Sequence, residues 1–464
     1  MEYICRVWGK QIKIIGWFLE MEKKKKSPRR LKFNTVQTVV IGFFGVILGG
    51  GILLSLPICN QKPIEFIDAL FTSVSSVCVT GLVTIVPAEQ FTLLGKIILL
   101  LLIQVGGLGV IACMSAFFLL LGKKINMKGR ITIQQAYGLD TLSGLVKFVI
   151  RILKGTFLVE GIGAVLFSLR FIPEFGFIKG VGYAIFHSVS AFCNAGIDIL
   201  GSTSFIQYSG SWLINFTTMF LIVMGGLGFP VWHDIAINIK KMTEIKKRPL
   251  KWLFTRLCLQ SKIVLTMTGL LILCGAVGFF LLEFNNPETM GDMNLLEKMT
   301  ASLFQSVTTR TAGFATVPQG DLRESSKLLG CMLMFIGDVY KRQVLKNKRD
   351  TECFARKIDN NIVRSGITIT MITLIFLMSG ITALTIFEPG IDFLDLTYEA
   401  ASAMGTVGLT ADLTPILSRG SHVILMILMY VGRIGPLTMA LALSGRSDKI
   451  SKFRELPEEN VMLG

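Results

Sequence analysis

FTSVSSVCVTGL at Phe71–Leu82, FHSVSAFCNAGI at Phe186–Ile197, FQSVTTRTAGF at Phe304–Phe314 and YEAASAMGTVGL at Tyr398–Leu409 are four versions of one phrase. Each opens on an aromatic residue and closes on a glycine followed by an aliphatic or aromatic residue, the glycines being Gly81, Gly196, Gly313 and Gly408. Self-similarity at long period marks a repeat architecture. The amphipathic part of each phrase covers about ten to fourteen residues, too few to cross a bilayer, and reads as a re-entrant half-helix. A long apolar run precedes each phrase and another follows it. The order is therefore helix, half-helix, irregular strand, helix, four times over.

Irregular backbone at membrane depth is tolerated only where protein buries it or a water-filled path runs beside it, because unpaired N–H and C=O groups facing lipid cost several kcal/mol each. Four such strands around one axis supply rings of carbonyls that replace a cation's hydration shell. The predicted fold class is thus an all-α membrane protein: four pseudo-repeats of helix–pore loop–helix around a central ion pore, with eight main transmembrane helices and four re-entrant pore helices. The candidate ion-binding residues are Val79, Thr80 and Gly81, Asn194, Ala195 and Gly196, Thr311, Ala312 and Gly313, and Thr406, Val407 and Gly408. Glycine lets the strand turn its carbonyls inward and places no side chain in a narrow lumen. Each half-helix would aim its partly negative C-terminal end at the cation. Asp68, Glu297 and Asp395 suit the opposite, N-terminal ends, or serve as outward-facing solubilising charges. The rival reading of the four glycines is close helix packing alone.

Composition agrees with a bilayer protein: 52% of 464 residues are hydrophobic, 17% are charged, and the mean hydropathy is +0.62. Apolar runs at Val36–Leu56, Phe91–Leu121, Leu213–Val231, Ile263–Leu282, Ile367–Phe387 and His422–Leu443 reach or approach spanning length. The first follows a basic stretch and lacks a small-residue cleavage site, so it reads as an anchor. The net charge of +16 is concentrated in Lys23–Arg30, Lys123–Arg130, Lys240–Arg256 and Lys341–Lys357. The intervening Pro57–Phe66, Asp198–Gly210 and Glu283–Asn294 carry almost no Lys or Arg. This alternation puts the basic loops and both termini in the cytoplasm and argues against a nucleic-acid partner. It also sets the expected divisions: a basic N-terminus at 1–34, repeats at 35–125, 126–245, 246–350 and 351–448, and a cytoplasmic tail at 449–464. Nine cysteines show no ligand spacing; Cys113, Cys193, Cys274 and Cys331 read as buried small hydrophobes. His187, His233 and His422 make no metal site by spacing.

A second landmark lies about 24 to 29 residues beyond three of the glycines. QVGGLG holds Gly106, Gly107 and Gly109, VMGGLG holds Gly225, Gly226 and Gly228, and YVGRIGP holds Gly432, Gly435 and Pro436. These predict helix breaks below the loops, with small-residue packing as the alternative. Arg433 stands inside the last of these runs, and an arginine at that depth faces a cavity or partner, not lipid. Glu160 reads as paired at a helix contact, and Arg310 as bracing the third loop from behind.

VTGL at Val79–Leu82, NAGI at Asn194–Ile197, TAGF at Thr311–Phe314 and TVGL at Thr406–Leu409 resemble the four filter sequences of the Trk/Ktr/HKT superfamily of potassium transporters, most closely its KtrB-type membrane subunits. The resemblance covers nearly the whole chain. It implies potassium uptake across a bacterial inner membrane, with glycine in all four repeats going with potassium over sodium. It further implies a homodimer with one pore per protomer, a cytoplasmic ring of RCK domains on a separate chain that binds the regulatory nucleotide, and Arg433 as the constriction beneath the filter. Sodium stimulation is common in that branch. No cofactor is expected in this chain.

The spacing departs from the pattern in one place: Gly81 to Gly196 is 115 positions, Gly196 to Gly313 is 117, and Gly313 to Gly408 only 95. Roughly 20 residues are missing from the third repeat. A third glycine break should begin at Gly337, yet Asp338–Gln343, DVYKRQ, leads straight into charged residues. Leu328–Gly337 alone is too short to span. KtrB-like proteins carry a glycine- and serine-rich gate loop here. DVYKRQ is the translation of GATGTGTATAAGAGACAG, which resembles a transposase end used as a sequencing adapter, so a chimeric gene that lost its gate segment stands against genuine divergence. The other competing functions are a sodium- or ammonium-permeable relative, a membrane-embedded enzyme, which would need intramembrane carboxylates, histidines or a nucleophile with its base, and a non-conducting scaffold.

Overall fold

A computed structural model describes residues 35–109, 145–244, 254–337 and 360–435, with positions 113, 352–353, 356–357 and 438–439 besides. Apart from the first four residues of the first helix, the described residues fall in one compact unit, Val39–Arg446. The first repeat comprises α1 (Thr35–Ser55), α2 (Phe66–Cys78) and α3 (Leu93–Leu108). The second comprises α4 (Leu145–Phe175), α5 (Phe177–Cys193), α6 (Trp212–Gly226) and α7 (Phe229–Glu244). The third has α8 (Leu259–Glu283), α9 (Leu295–Thr308) and α10 (Glu324–Gly337), and the fourth α11 (Asn360–Phe387), α12 (Phe393–Met404) and α13 (Arg419–Ile434). Between α10 and α11, two-residue strands β1 (Glu352–Cys353) and β2 (Arg356–Lys357) pair antiparallel.

The incoming helices are the long ones. Within α4, α8 and α11, stretches of 28, 25 and 22 residues are long and apolar enough to cross a membrane; at about 1.5 Å per residue even the shortest reaches roughly 33 Å. Leu273, Val277 and Leu281 on α8 and Ile375 and Met378 on α11 are exposed on faces suited to lipid. Cys274 shares that situation and is exposed, not buried as its apolar setting suggests. The half-helices α2, α5, α9 and α12 are the reverse: Phe71–Cys78, Phe186–Cys193 and Tyr398–Met404 are wholly buried runs.

Three of the four half-helices are seated on the incoming helix of their own repeat through one serine. Ser73, Ser188 and Ser306 donate to the carbonyls of Ile47, Glu160 and Ile272 at 2.7, 2.6 and 2.8 Å. A glycine, Gly50, Gly163 or Gly275, faces each hydroxyl and has no room for a methyl group. The fourth repeat has Ala400 at this position, and its Gly380 receives Leu428 of α13 instead.

The outer ends are tied between repeats. Asp68, in the first turn of α2, accepts from Arg419 at the start of α13 at 3.1 Å, and Glu65 joins the same guanidinium. Asp395, in the first turn of α12, pairs with Lys327 of α10 at 2.6 Å. Glu297 instead accepts from the backbone of Asn294 at 3.0 Å and closes a capping box. All three acids sit at helix starts, where the dipole favours them.

The third outgoing helix corrects an expectation. It begins at Glu324, not Leu328, and its 14 residues match the 16, 15 and 16 of α3, α6 and α13. Glu324 and Ser325 open the helix although they are polar, which hid its start from a hydropathy reading. The shortfall of the third repeat therefore lies beyond Gly337; 338–343 are outside the described residues.

The serine seats yield a direct test. Leucine at Gly163 overfills the contact with Ser188 and should destabilise the protein by about 1–3 kcal/mol, read as a lower thermal midpoint in detergent, whereas leucine at the open Gly161 should change it little.

Candidate functional site

The four phrases converge. Each half-helix ends and the chain enters a left-handed residue two places before the glycine: Val79 (φ 56°), Asn194 (60°), Thr311 (69°) and Thr406 (48°). The glycines themselves follow with φ of 107°, 63°, 80° and 91° at Gly81, Gly196, Gly313 and Gly408, while Thr80, Ala195, Ala312 and Val407 between them are not left-handed. An extended strand sends successive carbonyls to opposite sides; a left-handed residue at every second position undoes that alternation and brings them toward one side. The conformation costs about 1–3 kcal/mol per non-glycine residue, and three of the four are β-branched or bulky.

Hydrogen bonds hold this strain. The Thr80, Ala195 and Val407 amides donate to the Ser75, Ser190 and Ser402 carbonyls, each at 2.8 Å, closing the helix ends. The third repeat is one residue shorter between aromatic and glycine, and its Ala312 amide reaches the carbonyl of Thr308, in the same column of the phrase, from four residues on and not five, at 2.9 Å. Hydroxyls complete the brace. Gly81 and Gly408 donate to Ser75 and Ser402 Oγ at 3.0 Å, whereas Ser190 and Thr308 donate to the carbonyls of Ile197 and Phe314 at 2.6 Å.

The glycines form a closed ring. A methyl group on Gly81 would lie 2.7 Å from the Ala195 carbonyl oxygen, on Gly196 2.6 Å from that of Ala312, and on Gly313 2.6 Å from that of Val407; on Gly408 it would overlap that of Thr80. Each glycine thus abuts the carbonyl that precedes the next glycine, in the cyclic order one, two, three, four, one. Only hydrogen fits.

Below the ring lies a cavity of about 180 Å³ lined by Val79, Asn194, Thr311 and Thr406, together with Gly107, Cys193, Gly226, Phe229 and Arg433. This is room for several waters. Arg433 lines it from α13 and donates through Nη2 to the Gly106 carbonyl, which fixes the fourth repeat to the first at cavity level. Arg310 borders a second, smaller cavity of about 70 Å³ together with Ile222, Val223 and Thr311. Glu160 is paired across a helix contact: Gln104 Nε2 of α3 donates to it at 3.0 Å.

The glycine landmarks divide into two roles, which corrects the expectation that Gly106, Gly107, Gly225, Gly226 and Gly432 break their helices. Gly106, Gly225 and Gly432 lie inside α3, α6 and α13, where a methyl group would overlap the Val77, Phe192 and Met404 carbonyls of the neighbouring half-helices. At Gly107 a methyl group would instead collide with the Cys193 side chain. Gly226 is the last residue of α6, and a methyl group there would meet only the Asn194 amide, at 3.4 Å. The breaks fall at the final glycine of each motif, Gly109, Gly228 and Gly435, with φ of 83°, 84° and 90°. At Gly228 the chain turns by 97° from α6 into α7. Gly337 ends α10, and Pro436 lies outside the described residues.

The hydroxyl braces and the serine seats carry no local motif of their own. Their signal is the alignment itself: Ser73, Ser188 and Ser306 occupy one column of the phrase, and Ser75, Ser190 and Ser402 another.

Comparison with known proteins places this geometry. The TrkH family, described as Cation transport protein, matches residues 9–341 and 340–453. The chain is 36% identical to the potassium/sodium uptake protein NtpJ of Enterococcus hirae, covering 95% of this chain and 99% of that one. It is 35% identical to the Ktr system potassium uptake protein B of Bacillus subtilis, with the same coverage. The crystal structure of the potassium transporter TrkH from Vibrio parahaemolyticus superposes with a TM-score of 0.69 at 16% identity, over 91% of this chain and 87% of that one, and so shares the fold. With the family matched over nearly its full length and a ring of four looped strands at its centre, the chain belongs to the TrkH family of cation transport proteins.

Proposed function

We propose that this chain is the pore-forming, channel-like subunit of a bacterial potassium uptake system, conducting the ion through the glycine ring without covalent chemistry. The observation that carries the reading is the cyclic abutment of each glycine on the carbonyl before the next. Main-chain oxygens brought to one axis exchange for the ion's water, and the half-helix ends add negative potential beneath them. Potassium is cargo here. The filter comprises Val79 to Gly81, Asn194 to Gly196, Thr311 to Gly313 and Thr406 to Gly408.

Arg433 serves as an electrostatic constriction under this filter: a fixed positive charge on the wall of a small cavity opposes a cation entering it. The chain works in the cell membrane with both termini cytoplasmic, as a homodimer on an RCK-domain ring that carries the nucleotide. The names of the relatives, Ktr system potassium uptake protein B and potassium/sodium uptake protein NtpJ, support uptake and leave sodium as the second permeant ion.

The third repeat of this chain lacks a gate segment. The family match divides between residues 341 and 340, inside DVYKRQ, where the spacing of the phrases also falls short. Resequencing across this junction should return an open reading frame with roughly 20 further residues; an uninterrupted genomic read encoding DVYKRQ establishes it as native sequence.

Flux experiments test the pore. Rubidium uptake into proteoliposomes should be supported by the chain, and Gly313→Ser or Gly408→Ser should lower the potassium-to-sodium permeability ratio by about tenfold, equivalent to about 1.4 kcal/mol. Unchanged selectivity in both variants rejects the ring as the filter. Arg433→Ala should raise flux by roughly fivefold, the effect of removing about 1 kcal/mol of repulsion, with selectivity unaltered.

A further inference from the structure

One column of the four phrases has no part in the ring yet is polar and wholly buried throughout. It holds Thr72, His187, Gln305 and Glu399, each directly after the opening aromatic. A buried polar group requires partners, and in three repeats they lie on the segment just beyond the glycine. The Ile199 amide donates to His187 Nε2 at 3.4 Å, while His187 Nδ1 meets the Tyr183 carbonyl at 2.7 Å. Gln305 and Gln319 exchange amide hydrogen bonds at 2.6 and 3.1 Å. Thr72 instead donates back to Asp68 O of its own helix at 2.8 Å.

Glu399 gathers the most. Its Oε1 accepts from the Ala411 amide at 3.1 Å and from the Thr410 hydroxyl, and its Oε2 accepts from Thr414 Oγ1 at 2.9 Å. Thr414 is in turn tied to α13 through its carbonyl and His422 Nε2, 2.9 Å apart. The fourth strand is therefore pinned twice. Ser402 holds its inner end through Val407 and Gly408, and Glu399 holds its outer end through the stretch from Thr410 to Thr414.

We propose that Glu399 is a positioning residue for cation selectivity, acting through Thr410, Ala411 and Thr414 to keep the fourth strand from closing on a smaller ion. The proposal rests on the reading of the glycine ring as a potassium filter. Carbonyls discriminate between ions only while their spacing is held, and a strand anchored at one end can yield at the other. Glutamate suits the task because one side chain offers two oxygens that together accept three donors.

The test uses the purified full-length chain in detergent, titrated calorimetrically with potassium chloride and with sodium chloride. The ratio of sodium to potassium dissociation constants should fall by about tenfold in Glu399→Ala, by less in Thr414→Val, and by no more than about threefold in Glu399→Gln, whose amide oxygen still serves Ala411 and Thr410. Elution volume and the melting midpoint in sodium identify folded protein. A folded Glu399→Ala with an unchanged ratio overturns the proposal; where that variant does not fold, an unchanged ratio in Thr414→Val does so. Gly408→Ser distinguishes the two levels of inference. If it too leaves the ratio unchanged, or if the unmodified chain binds neither ion, the filter reading itself fails.

Discussion

Backbone without regular structure has no place in a bilayer unless something answers its polar groups, and this constraint organises the molecule. Four strands lie at membrane depth, each entered through a left-handed residue and bent again at a glycine. Their amides are answered locally, by the last turn of a half-helix or by a serine hydroxyl. The carbonyl before each of the four glycines lies against the glycine of a neighbouring repeat, around a closed ring. The long apolar helices exist to carry this polar centre.

The chain solves the packing problem of such a centre mainly by removing side chains. Glycines on the incoming helices admit the half-helix serines, and glycines on the outgoing helices admit the half-helix carbonyls. Both devices shorten the distance between backbones, and the first converts the gain into a hydrogen bond. The fourth repeat departs from the first device. It has no serine at that position, and its half-helix is held by Glu399 and by the Lys327–Asp395 pair instead. The repeats share one layout and are unequal in chemistry: one carries a cavity-lining arginine, and another a loop one residue shorter.

The four-phrase alignment, the half-helices and the helix order were legible in the sequence because they are local: an aromatic, a short amphipathic run and a glycine recur at fixed offsets. The breaks were legible only to within a few residues. A motif such as QVGGLG offers three glycines, and nothing in their order says that Gly106 accommodates a carbonyl while Gly109 takes the positive φ. Likewise α10 begins at polar Glu324, which hydropathy placed outside the helix.

A membrane protein of four loop-bearing repeats can be read from the order of residues, since apolar length and the recurrence of Gly81, Gly196, Gly313 and Gly408 are properties of the string. Which groups meet across repeats emerges only from the folded arrangement. Gly81 abuts Ala195, Arg433 reaches the carbonyl of Gly106, and Arg419 joins Asp68, all between residues more than a hundred positions apart. The physical reason is that closing a ring from unequal repeats is a matter of backbone approach and direction, which no local pattern of residue types encodes.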